Sequence, residues 1–340
     1  MHLDEIFTFE NLNEAYKNCR MSKQHKGEVI RFETALALNL NTLHKELVTK
    51  KYTLGKYKKF YVYEPKERLI EALPFKDRVV IRCFCDACLK PKIDKRLVYD
   101  NCACRKGKGT NFAIERLHAF LRKEYRGENN NNIYFLKCDI RKYFPSINHD
   151  ILIHLLEEIH FSEDEMWMIR KLIQEQPDHA SVGLPLGNQS SQWFALLYLN
   201  KVDHFIKESL RIRGYVRYMD DMILLHRDKK YLALCKQEIE KLCKNVLNLE
   251  LNDKTQIGMV KNGVDFLGYR HILTTTGKII VKLRYTSKQR MRKHLKTVNK
   301  LYNKGIVDDE YVYIRKNAFY NHIKNTQESE RLKMDTFPFK

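Results

Sequence analysis

The segment Tyr215–His226 reads Tyr-Val-Arg-Tyr-Met-Asp-Asp-Met-Ile-Leu-Leu-His. Apolar and β-favouring residues flank two adjacent aspartates, Asp220 and Asp221, so the pattern predicts a strand, a tight turn and a second strand over 215–225. Acids at the tip of a buried hairpin are costly unless a metal ion or another cation faces them. A third acid, Asp139, ends the apolar run Ile133-Tyr-Phe-Leu-Lys-Cys-Asp139. Carboxylates are hard-oxygen ligands suited to Mg²⁺. Acids delivered from separate rigid strands suit chemistry that clamps two metal ions about 3.5–4 Å apart. On these residues alone an ordinary turn stays open, because Asp is a common turn residue.

Around this hairpin the pattern alternates strands with helices. Helices are predicted within 1–50, then an extended hairpin over 52–73 with its turn at Glu64–Glu67. Helices follow at 76–90, 111–126, 148–158, 163–175, 189–210 and 229–247, with strands at 133–139, 255–261, 264–271 and 278–283. The last sixty residues read as polar helix. Antiparallel hairpins among helices make an α+β chain with a helical end. There is no internal repeat and no flexible linker.

The formal charge of +20, from 62 Lys and Arg against 42 Asp and Glu, points to a polyanionic partner. A generic Lys-rich protein would show the same surplus. Hydrophobic residues at 44% predict a folded core. The start lacks a signal-peptide pattern and no apolar run approaches a membrane span, so a cytoplasmic chain with reduced thiols and no membrane partner is expected. Cys83, Cys85, Cys88, Cys102 and Cys104 invite a zinc reading. Their spacing does not form two clean C-x-x-C pairs, however, and Asp77–Leu89 reads as a buried helix in which cysteine is a small core residue.

The ordered motifs resemble those of reverse transcriptases. Tyr218-Met-Asp-Asp221 is similar to that family's signature. Lys137-Cys-Asp-Ile-Arg-Lys-Tyr-Phe144-Pro-Ser-Ile147 resembles its first palm motif. Gly183-Leu-Pro-Leu-Gly-Asn-Gln-Ser-Ser-Gln192 resembles the loop between them, and Phe266-Leu-Gly-Tyr-Arg270 the primer-grip hairpin. The resemblance covers about 55–275. It implies a right-hand polymerase fold: an N-terminal helical extension over 1–50, fingers over 51–132 with part of 148–185, a palm of antiparallel sheet plus helices over 133–275, and a helical thumb over 276–340. It also implies two Mg²⁺ ions, with Mn²⁺ able to substitute, held by Asp139, Asp220, Asp221 and the Ile140 carbonyl.

For the substrate, the resemblance places Lys66 and Arg68 on the triphosphate of a dNTP, where a forked Arg fits well. It places Phe144 against a ribose 2′-OH, puts Leu186 and Gln192 beside the nascent base pair, and makes Lys254 the proton donor to pyrophosphate. From the residues alone, Phe144 is equally a core aromatic and Lys254 equally a surface lysine. Tyr218, Gly268 and Tyr269 would lie along the nucleic acid. Arg284–Lys304 carries eight Lys or Arg and no acid, so Arg284, Arg290, Lys293 and Lys304 are candidates for an A-form duplex backbone unless that helix is only a solvated face. Arg105, Lys106 and Lys108 are candidates for the template strand.

The variant Leu186-Gly187 with Ser191-Gln192 resembles diversity-generating retroelement enzymes, a bacterial or phage-encoded group, as do Phe9–Tyr16, Tyr61–Lys66 and Phe75–Val79. That implies error-prone copying of a structured template RNA into an RNA–cDNA duplex, with a small basic helical accessory oligomer as partner. No nuclease or integrase domain is expected after the thumb. A retron-like or anti-phage defence enzyme, and a catalytically silent RNA-binding protein, are the competing readings.

Overall fold

The fold is described from a computed structural model for residues 1–63, 66–126, 132–175, 181–324 and 326. Four helices open the chain: α1 (Leu3–Ile6), α2 (Phe9–Arg20), α3 (Gly27–Glu33) and α4 (Leu36–Val48). Thr8 caps α2 by accepting the Asn11 N–H at 3.1 Å. Leu12, Ala15 and Tyr16 then face inward at helical spacing, and Tyr16 meets Phe32 and Phe75 in an aromatic trio. These helices share one hydrophobic core with the middle of the chain.

Strands β1 (Lys58–Val62) and β2 (Arg68–Ala72) pair as an antiparallel ribbon, with Phe60 opposite Ile70. Every residue of β1 is exposed. Of the expected turn, Glu64 and Pro65 lie outside the described residues. The helix expected at 76–90 is longer: α5 (Phe75–Phe84) runs through a wider π turn at Cys85–Leu89 into α6 (Lys90–Asp94). Cys83, Cys85 and Cys88 lie in the core, where burial pushes their thiols up. Asp77 is also buried. It accepts hydrogen bonds from the Tyr52 hydroxyl and, at 3.3 Å, from the Gly55 N–H, tying segment 52–55 to α5.

Helix α7 (Thr110–Tyr125) leads to the central sheet, whose order is β4 (Gly214–Tyr218), β5 (Asp221–His226), β3 (Tyr134–Cys138), β6 (Gln256–Met259), all antiparallel. Period-two alternation gives each strand two apolar faces. Leu136, Cys138, Met222 and Leu224 face the large core under α10 (Gln189–Tyr198) and α12 (Lys229–Leu247). Phe135, Val216, Ile223 and Leu225 face a second cluster with Ala113, Leu117 and Leu121 of α7. In α12, Leu232, Cys235, Ile239, Cys243 and Leu247 make the stripe that grips the sheet. Helices α8 (His149–Glu157) and α9 (Glu163–Gln174) close the large core.

Two expected elements are divided. The helix at 189–210 bends at Leu199, whose φ of −87° and ψ of 3° end α10 before α11 (Asn200–His204) and a π turn at 205–209. The strand at 264–271 is a hairpin, β7 (Val264–Phe266) and β8 (Tyr269–Leu273), because Leu267 and Gly268 both turn to positive φ. Strand β9 (Ile279–Leu283) completes that sheet. Helices α13 (Tyr285–Asn303) and α14 (Asp309–Ile323) pack on each other through Met291, Leu295 and Ile323. No helix among the described residues is long and apolar enough to cross a membrane.

Candidate active site

The register of β4 and β5 pairs Tyr218 with Asp221, leaving Met219 and Asp220 as a two-residue turn. Met219 takes a left-handed φ of 57°, a conformation that costs a side chain other than glycine roughly 1 kcal/mol or more. On the neighbouring strand Cys138 pairs with Met222, so Asp139 emerges level with Asp221. The Asp139 carbonyl accepts the Asn252 N–H at 2.7 Å, and Ile140 makes a bridge with Leu251.

The carboxyls of Asp139 and Asp220 interact. Burial first, and then the charge of Asp139, pushes Asp220 up to about 6. Asp221 is also raised by burial, while Lys137 pulls it down. The Lys137 ammonium lies 3.0 Å from Asp221 and donates to the Asp265 carbonyl at 2.7 Å. Asp221 Oδ1 is buried and forms no hydrogen bond, although that ammonium is 3.0 Å away.

Asp220, raised by burial and by the charge of Asp139, together with Asp139 and the buried Asp221, forms a donor set that fits hard divalent cations. Among the described residues no group of three or more His, Cys, Asp or Glu side chains forms a metal-binding cluster.

A cleft of about 1270 Å³ opens over Asp139 and Asp221, while Asp220 sits beside it without lining it. Asp139 and Asp221 line its floor, Lys66 and Arg68 come from the β1–β2 ribbon, and Lys254 follows Asn252. Gly268 and Tyr269 of the β7–β8 turn, with Arg284 and Arg290 at the start of α13, line it too. The Gly268 carbonyl accepts the Arg284 N–H at 3.1 Å, which seats α13 on the turn. A cleft with acids below and cations from separate elements around it can hold a polyphosphate against bound metal.

Other expected site residues do not line this cleft. Phe144 begins a short 3₁₀ turn, half-buried with its ring 5.8 Å from that of Tyr143, and its carbonyl accepts the Leu184 N–H at 2.9 Å. Leu186 acts through its backbone: its carbonyl accepts the Glu71 N–H of β2 at 3.0 Å. Gly187 has φ 139°, and a Cβ there would sit 2.9 Å from the Glu71 carbonyl. Gln192 is exposed, with Oε1 3.5 Å from Cys104 Sγ. Tyr218 is half-buried between the two cores. Lys293 and Lys304 are exposed outside the cleft.

The basic loop differs most from expectation. Arg105 turns inward to Asp94 and to the Val98 and Asn101 carbonyls, so its guanidinium is spent on its own loop and is not presented to a template. Lys108 lies over the Tyr99 and Phe112 rings, and Lys106 is exposed. Sequence reasoning passed over Lys137, although strand alternation places residue 137 on the same side as Asp139. It also passed over Thr110 and Asn111, which line the cleft from the start of α7.

A family model described as reverse transcriptase (RNA-dependent DNA polymerase) matches residues 57–271, more than half of the chain. The chain belongs to the reverse transcriptase family. The match spans the acids, the cation-bearing ribbon and the β7–β8 turn. Solved structures similar to it include telomerase from Candida albicans in complex with the TWJ fragment of telomeric RNA, at TM-score 0.51 and 14% identity, covering 77% of this chain and 55% of that one. Apo telomerase from Candida tropicalis is similar at TM-score 0.52 and 14% identity, covering 75% and 56%. This chain therefore spans little more than half the length of either, and the likeness is one of fold. No curated protein matches the chain. The family is one of RNA-dependent DNA polymerases, which generally use divalent metal ions.

Proposed function

We propose that this reverse transcriptase extends a primer along a structured RNA with dNTPs and two Mg²⁺ ions. The observation that carries this reading is that Asp139, coupled to Asp220, lies with Asp221 at the base of a cleft that gathers Arg68, Lys66, Lys254 and the start of α13. Asp139 and Asp220 would hold the metal, which supplies charge for the attacking primer hydroxyl and the departing pyrophosphate. Asp221, already opposite Lys137, completes the carboxylate set. Arg68 and Lys66 draw the triphosphate toward the acids, and Lys254 is placed to protonate pyrophosphate. Arg284 and Arg290 hold the duplex backbone. Primer extension on RNA with Mg²⁺, beside Asp220→Asn, tests this reading. Extension by wild type and none by the variant is expected; extension surviving in Asp220→Asn would overturn the metal assignment.

The finer reading is mutagenic copying in a diversity-generating retroelement, with a basic helical accessory oligomer as partner. It rests on the loop sequence Leu186–Gln192 and on that loop's place between the Phe144 turn and β2. An apolar Leu186 lacks an amide that could restrain the nascent pair, a loss of about 1–3 kcal/mol in discrimination. Leu186→Gln is expected to lower misincorporation, and an unchanged error rate would remove Leu186 from the explanation.

A further inference from the structure

Arg217 is among the largest fully buried side chains of the described residues, and none of the chemistry above uses it. It lies on β4 two residues before the Met219–Asp220 turn. Its Nε and Nη2 form a fork on Asp203 at 2.7 and 2.6 Å, and Asp203 is itself fully buried. Nη2 also donates to the Leu196 carbonyl at 2.9 Å, and Nη1 donates to the Met219 carbonyl at 2.8 Å. Tyr215, on the same face of β4, donates its hydroxyl to Asp203. The backbone of Arg217 is fixed as well: its N–H donates to Asp100, and its carbonyl accepts the Cys102 N–H.

A buried Arg–Asp pair is a poor device for stability alone, because removing both charges from water costs much of what their attraction returns. What this pair adds is direction. Asp203 anchors one edge of a planar guanidinium, and the other edge reaches the carbonyl of the one residue in the turn with a left-handed φ. Lysine could not serve both edges, since a single ammonium lacks the fork. The carbonyl of Met219 belongs to the peptide whose nitrogen is that of Asp220. Fixing that peptide fixes where the Asp220 carboxylate points.

We propose that Arg217, held by Asp203, is a positioning residue that locks the Met219–Asp220 peptide and so aims Asp220 at Asp139 for metal binding. This rests on the reading of Asp139 and Asp220 as metal ligands. The test uses the full chain with Arg217→Lys, Arg217→Met, Tyr215→Phe and Asp220→Asn. Mn²⁺ binding by calorimetry, thermal unfolding, and the separate kcat and KM of primer extension are measured on each. Tyr215→Phe removes a contact to Asp203 without touching the turn, so it reports what damage to the buried pair does by itself. Both Arg217 variants should bind Mn²⁺ about 10- to 100-fold more weakly. Their kcat should fall by a similar factor, while KM for dNTP stays near that of wild type. Tyr215→Phe should melt earlier yet keep wild-type Mn²⁺ binding.

Wild-type Mn²⁺ affinity in either Arg217 variant overturns the proposal. So does a loss of Mn²⁺ binding in Tyr215→Phe that tracks its loss of stability, because Arg217 would then be core and nothing more. If Arg217→Met does not fold, Arg217→Lys carries the test, and if neither folds the residue is structural and the proposal falls. Undiminished Mn²⁺ binding by Asp220→Asn would instead sink the underlying metal reading, which keeps the two failures apart.

Discussion

The contact between His118 of α7 and His271 of β8 makes the joint between that helix and the β7–β9 sheet sensitive to acid. The rings lie 5.0 Å apart and nearly perpendicular, with His118 Nε2 2.9 Å from His271 Nδ1. His271 is fully buried and has only the Phe266 carbonyl, at 3.4 Å, for its other nitrogen. Burial lowers both imidazoles to about 4, and His271 adds its own repulsion to the lowering of His118. A folded-state pKa below the unfolded value of about 6.5 means that the unfolded chain binds more protons between the two. The stabilisation is therefore complete above about pH 6.5 and is lost as pH falls toward 4. For His271 the drop from 6.5 to about 4 corresponds to ~3 kcal/mol. Roughly 2 kcal/mol of that is gone by pH 5. His118 is half-buried and shares the same coupling, so it adds less. Urea unfolding of wild type and His271→Phe at pH 7.5 and pH 5 measures the effect. The variant should lose distinctly less stability over that interval, because it lacks the fully buried His271 imidazole and keeps only His118. Equal losses in both proteins would show that the His118–His271 joint does not carry the acid response.

Three further outcomes follow from the site. Arg68→Ala should raise KM for dNTP by about 10-fold or more, as expected for losing hydrogen bonds from a charged donor, with template affinity measured by filter binding unchanged. Gly187→Ala should destabilise the chain by at least about 1 kcal/mol in thermal unfolding, because it combines φ 139° with a Cβ 2.9 Å from the Glu71 carbonyl. Lys137→Met removes the charge facing Asp221 and should shift the rising limb of kcat against pH to higher pH, since Asp221 then meets burial without its cation.

Elements written in local pattern were legible in the sequence. Strand β3, the β4–β5 hairpin and α12 alternate at period two or carry a helical stripe within a few residues, and the expected bounds stand close to the observed ones. The gathering of Arg68, Lys254, Gly268 and Arg284 over Asp139 was legible because family order carries tertiary information that propensity lacks. What was not legible depends on partners far away in the chain. Arg105 resembles a template contact until Asp94 and two carbonyls turn it inward. Leu199 interrupts a helix whose composition gives no break. Nothing local to β4 shows that Arg217 is claimed by Asp203, which α11 delivers. In each case a polar group is decided by the neighbour that packing delivers.

The β1–β2 ribbon has one more consequence. With all of β1 exposed and β2 at most half-buried, the ribbon draws little rigidity from a core, and a two-stranded hairpin alone is marginal in water. Its base is tied by the Glu71–Leu186 backbone bond and by Asn188, which donates to the Tyr57 hydroxyl at 3.0 Å. Protease lifetime at this ribbon is thus a gauge of occupancy. A triphosphate that bridges Arg68 to the acid floor would close the ribbon from its open side, and the rate of cutting would report binding before any bond is made.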